Sequence, residues 1–157
     1  LALFTRARVF RAALFYWSIA FTLQAFAQPV VERGPASAVY WAFWTSHWAI
    51  IACATWDFWG EGFRPRWRDG ALALLCAYAW LGVVFPLNIV LGSNYGYVGN
   101  AAPRVASVID HLGPWPGRAL ILIAIGHVVF AVLTLLGARV PGGENGPGAC
   151  VPLDEPR

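Results

Sequence analysis

Two histidines interrupt long apolar runs, His47 in "FWTSHW" and His127 in "AIGHVV". An ionisable side chain in hydrocarbon is expensive unless it is paired or used, so each is a functional candidate. A neutral imidazole beside a nucleophile takes its proton and acts as a general base. Two imidazoles at one depth would ligate b-type haem, and a single one the magnesium of a bacteriochlorophyll. The structural alternative is donation to a carbonyl or hydroxyl of a helix. That role suits His127 best, whereas His47 adjoins Thr45 and Ser46 and has Trp44 one turn away. The other polar groups near the apolar runs are Gln24, Asn88 just after Pro86, and Asn94 and Tyr95 in "LGSNYGYVG". Asn88 is placed to meet the carbonyl that Pro86 frees.

Other chemistry is excluded. The sequence holds no HExxH, CxxC, GxSxG or GxxxxGK[ST] motif. "GSNYGYVG" resembles a phosphate loop only superficially, because it lacks the lysine and follows an apolar helix and not a strand. Cys53, Cys76 and Cys150 match neither a disulfide framework nor a zinc site, so no metal is expected.

The elements that position these groups are membrane helices. The chain is 59% hydrophobic and 12% charged, with mean hydropathy +0.57; a soluble domain carries about 25% charged residues. Four runs have the length of a bilayer crossing, about 9–27, 39–58, 70–91 and 115–136. They predict an all-α, polytopic transmembrane bundle of four helices. Residues 139–157 have no apolar period and predict a disordered tail. With no methionine and an opening in mid-apolar sequence, the chain reads as one that lacks an N-terminal portion.

Charge sets the orientation. The basic residues are all arginine and cluster at the ends of the runs, which fits topology and not nucleic-acid binding despite a pI near 9.0. Arg6, Arg8, Arg11, Arg64, Arg66, Arg68, Arg139 and Arg157 fall on one side, and Arg33, Arg104 and Arg118 on the other. The positive-inside rule then puts both ends in the cytoplasm. Asp57 and Asp69 are expected to pair with the arginines beside them. Trp41, Trp44, Trp56, Trp59, Trp67 and Trp115 fall near span ends, where indoles favour the headgroups. Small lipid-facing residues, Ala12, Ala13, Gly82 and Gly126, would admit close helix approach and suit an accessory subunit of a larger complex.

In order, "FYWSIAFTLQAFAQPVVE", "FWTSHW", "FRPRWRD", "PLNIVLGSNYGYVG" and "LGPWPGR" resemble the bacterial YwaF-like integral membrane proteins. The resemblance covers roughly residues 8–136 and implies a six-helix protein with two helices upstream of Leu1. A distantly similar animal membrane protein is a lipid acyltransferase that uses a cysteine and a histidine. The resemblance places that histidine at His47 and the cysteine in an upstream Pro-Leu-x-x-Cys motif, which neither Cys53 nor Cys76 matches. It implies acyl transfer between membrane lipids with no cofactor; Asn88, Asn94 and Tyr95, converging from the end of the third run, are placed to bind ester or glycerol oxygens, and Gln24 is a further binding candidate. The alternative is a non-catalytic subunit packed against a membrane complex that bears haem or bacteriochlorophyll.

Overall fold

A computed structural model describes residues 2–29, 31, 33–101 and 107–140. The expected tail from 141 onward, with Cys150 and Arg157, lies outside the described residues, as does Arg104.

Among the described residues every regular element is helical. Helix α1 runs Arg8–Ala27 and contains a π-helical stretch, Ser18–Thr22. Helix α2, Ala38–Thr55, starts at Ser37, whose hydroxyl accepts from the Val39 N–H at 3.3 Å, and a π turn prolongs it through Trp56–Gly60. Helix α3 is Trp67–Leu91 and stops at Gly92, whose left-handed φ of 57° ends the hydrogen-bond ladder. Helix α4 is Gly117–Arg139. Short helical turns stand at Ala2–Thr5, Tyr95–Tyr97 and Val108–Leu112.

Three helices, α1, α3 and α4, are long and apolar enough to cross a membrane. The expected second span is not among them. Thr45, Ser46 and His47 occupy the middle of α2 between Trp44 and Trp48, which lowers its apolar content. Outward residues such as Leu75, Val83, Val90, Leu120 and Val128 are exposed, as on a bundle whose solvent is lipid. The protein is a multi-pass membrane protein.

One end of the bundle is held by charge. The Nε and Nη2 of Arg8 donate to the two carboxylate oxygens of Asp69 at 2.6 and 2.7 Å. Asp69 also accepts the Arg66 N–H at 2.8 Å, which caps α3. The Nε of Arg11 donates to Asp57 at 2.8 and 3.1 Å, and its Nη2 to the Glu61 carbonyl at 3.3 Å. The buried ring of Phe63 lies under both guanidiniums, with centroids 5.6 and 5.0 Å away. Asp57 and Asp69 therefore do not pair with the arginines beside them. Their carboxylates face inward to the start of α1, while Arg64 donates to the Phe58 and Phe63 carbonyls and Arg66 and Arg68 are exposed.

The middle of the bundle is close-packed. Ala12 and Tyr16 of α1, Ala73 of α3 and Phe130 of α4 are buried together. Ala12 is thus in the core and not on the lipid-facing surface. The Thr134 hydroxyl donates to the Phe130 carbonyl at 2.8 Å, so the Tyr16 hydroxyl must donate to Thr134, at 2.6 Å. A Cβ at Gly70 would come within 3.1 Å of the Thr134 Oγ1 and 3.3 Å of the Tyr16 Oη. A small residue is needed there for α3 to approach α1 and α4.

Removing a carboxylate from a buried ion pair strands its partner, whereas an exposed pair contributes little. Asp57→Ala is expected to lower the unfolding free energy by about 3 kcal/mol, and Arg6→Ala, whose pair with Glu61 spans 2.9 Å with Arg6 largely exposed, by under about 1 kcal/mol. Thermal denaturation in detergent measures both. Equal shifts would mean that burial does not set the strength of these pairs.

Candidate functional site

At the end of the bundle opposite the Arg–Asp pairs, two cavities lie beneath a lid of loop residues. The first is about 560 Å³ and is lined by Phe21, Gln24, Gln28, His47, Tyr97 and Ser107, among others. The second, about 440 Å³, lies between α1, α3 and α4 and is lined mainly by apolar side chains, with Tyr78 and His127 on its wall. Phe21, Gln24, Tyr97 and Ile109 line both.

His47 is set in place by its own helix. Its ring stands 4.1 Å from Phe43 and 6.4 Å from Phe26, centroid to centroid. Its Nδ1 is 2.7 Å from the Phe43 carbonyl, one turn back. A carbonyl only accepts, so in the neutral ring Nδ1 carries the proton and Nε2 is the basic nitrogen. His127 shows the same backbone anchor, Nδ1 to the Ile123 carbonyl at 2.8 Å, but its Nε2 is already 3.0 Å from the Tyr78 hydroxyl. Its two nitrogens are therefore both engaged. The two histidines line different cavities.

The polar residues of the loop have other work. The Asn88 Oδ1 accepts the Tyr95 N–H at 2.8 Å and the Ser93 hydroxyl at 2.9 Å, and its Nδ2 donates to the Tyr95 carbonyl at 3.0 Å. Asn88 is buried, and it folds the loop back onto α3 instead of meeting the carbonyl freed by Pro86. The Asn94 side chain accepts the Gly99 N–H at 2.9 Å. The Tyr95 side chain is exposed. Of the sequence-predicted group, His47 and Gln24 share a cavity, while Asn88, Asn94 and Tyr95 form the loop scaffold beside it.

That scaffold holds a lid. Arg118, nearly buried, donates to the Gly99 carbonyl at 2.8 Å, and the Trp115 indole donates to the Val98 carbonyl at 3.1 Å. Ser107 and Asp110 cap the turn Val108–Leu112, whose Val108 N–H donates to the Gln28 side chain at 2.8 Å. Tyr97 was not singled out by sequence, although it faces both cavities. Its φ of 61° follows a Gly96 φ of 65°, and a left-handed non-glycine residue costs about 1 kcal/mol. Such strain persists where the surroundings fix it and gathers at functional sites. Burial, and next the Asp110 carboxylate, push the Tyr97 phenol above its ordinary range, which keeps it a hydrogen-bond donor. The only sequence cue was a tyrosine directly after a glycine in the loop.

Antiparallel apolar helices closed by charge at one end and enclosing polar side chains at the other make a polytopic helical membrane protein with an internal cavity. The TMEM164 family model matches residues 1–134, and the chain belongs to the TMEM164 family. Neither the curated proteins nor the solved structures contain a match.

A Cβ at Gly99 would overlap the Ser93 carbonyl oxygen and lie 2.8 Å from the Asn94 Cα, both fixed backbone. Gly99→Ala is expected to displace the loop from Arg118 and to speed limited proteolysis between residues 92 and 116. Unchanged cleavage would show that the loop does not depend on this contact.

Proposed function

We propose that this protein transfers acyl groups between membrane lipids, with His47 as the proton acceptor. The observation that carries the proposal is the geometry of His47: its Nδ1–H is held by the Phe43 carbonyl at 2.7 Å, which leaves Nε2 basic, in a cavity shared with Gln24, Tyr97 and Ser107. The YwaF-like resemblance supports it and supplies the nucleophile, the thiol of an upstream Pro-Leu-x-x-Cys motif. In the first half-reaction the thiol sulfur attacks the ester carbonyl carbon while His47 takes the thiol proton. The C–O bond then breaks and the departing lysolipid oxygen receives that proton, which leaves a thioester. In the second, His47 deprotonates the hydroxyl of another lipid, whose oxygen attacks the thioester carbonyl and releases the thiol.

The chain's own residues have distinct parts. The Phe43 carbonyl fixes the tautomer, and the imidazolium formed at His47 keeps that hydrogen bond. Gln24 and the neutral phenol of Tyr97 are donors available to an ester carbonyl oxygen on which negative charge develops. Phe26 and Phe43 keep water from the ring faces. We further infer that α2 is a fourth crossing. It runs from the lid end to the charged end, where Asp57 meets Arg11, with His47 about 14 Å along it, and Ala38 to Gly60 covers roughly 33 Å of helix. By the positive-inside rule the charged end then lies in the cytoplasm and His47 in the outer half of the bilayer.

Acyl exchange assayed in the full-length protein is expected to fall about a hundredfold or more in His47→Ala, with the melting temperature unchanged. Cys53→Ala, whose side chain lines neither cavity, should exchange near the wild-type rate. Wild-type exchange in a folded His47→Ala protein would remove His47 from the reaction and, with it, the proposal.

A further inference from the structure

Resting on the acyl-transfer reading above, we propose that the second cavity, beside Gly126, is the acyl-chain chamber of the same lipid site, and that Gly126 and Ala77 set the chain length accepted. The two cavities meet at Phe21, Gln24, Tyr97 and Ile109. A lipid ester at this junction has His47 on one side and an apolar cleft on the other.

The cleft has the chemistry of a hydrocarbon site. Three polar groups along its wall, on Tyr78, His127 and Trp17, are already satisfied. The Tyr78 hydroxyl is 3.0 Å from His127, which donates in turn to the Ile123 carbonyl at 2.8 Å, and the Trp17 indole donates to the Ala73 carbonyl at 3.2 Å. Gln24 and Tyr97, the polar side chains that face both cavities, stand at the junction, where an ester would need them. The cleft also has the right depth. From Leu122 to Phe130, both on its wall, α4 descends about 12 Å, comparable with the roughly 15 Å of hydrocarbon in one leaflet. Its floor is the close-packed layer of Tyr16 and Phe130. Phe21, Tyr78 and Ile125 line it and are exposed at its edge, which opens it sideways to the lipid.

Gly126 leaves room that a side chain would take. A Cβ built there meets nothing within 4 Å, so Gly126→Leu has room for its first side-chain atom and narrows the cleft that Gly126 lines, and Ala77→Leu narrows it from the facing wall. The test uses the full-length protein in phosphatidylcholine vesicles containing a phosphatidylcholine with a diazirine at the end of its acyl chain. After illumination, label is expected on the segments Leu122–Phe130 and Trp17–Gln24. Gly126→Leu should reduce it about tenfold, the discrimination expected when an apolar pocket loses room for a methylene or more. The same variant should shift exchange from palmitoyl toward lauroyl donors. His47→Gln should abolish exchange and leave the label in place. Label spread over outward residues such as Val83 and Val90, or label unchanged in both narrowed variants when they melt like the wild type, overturns the chamber. Label confined to the cleft together with undiminished exchange in His47→Gln upholds the chamber and overturns the acyl-transfer reading alone.

Discussion

The two ion pairs from the start of α1 govern the rest of the fold. Arg8 and Arg11 are one helical turn apart and lie on one face, and they reach acids contributed by two different elements, Asp69 at the start of α3 and Asp57 just beyond α2. A buried carboxylate without its partner would be intolerable in a low-dielectric interior. Three chain segments must therefore arrive together before any of the charges can be buried, and their register follows. Once α1 is fixed at that end, Tyr16 meets Thr134 in the middle, and Gln24 and Gln28 arrive under the lid. Charge at one end thus aligns polar groups at the other that it never touches.

The lid end obeys a different physics. Among the described residues its ion pair is that of Arg118 with Asp110, 3.5 Å apart, and most of the other polar groups are spent on holding backbone. Asn88 and Asn94 are consumed in this way. The difference between the two histidines is of the same kind. Each donates to the carbonyl four residues back, the habitual anchor of an imidazole in a helix, but only His127 also meets a phenol. Identical local geometry leaves one imidazole with both nitrogens engaged and the other held through Nδ1, and the neighbouring helix makes the difference.

Much of this was legible in the sequence. Apolar runs gave the helix boundaries to within a few residues, because length and hydropathy act locally. The start of α3 came three residues early since Asp69 reaches back to the Arg66 N–H, a capping contact that apolar counting ignores. The partners of Asp57 and Asp69 were misassigned because the true arginines lie 46 and 61 residues away, and proximity in sequence is a poor guide to pairing between helices. His47 was legible as an imidazole in an apolar run, and its cavity was not. Tyr97 reads from the sequence as a headgroup-level tyrosine and not as a cavity residue, because its signal is the sign of a backbone angle, which residue types do not carry outside glycine.

The π-helical stretch Ser18–Thr22 in α1 adds in effect one residue to a turn, which advances every later side chain by about 100° around the axis. The same helix therefore presents Arg8 and Arg11 to α2 and α3 at one end, and Phe21 and Gln24 to both cavities at the other. A straight helix of the same composition would satisfy only one of these faces. Phase, as well as composition, is encoded in α1, and losing a single residue from this turn would rotate the cavity-lining positions away while leaving the ion pairs untouched.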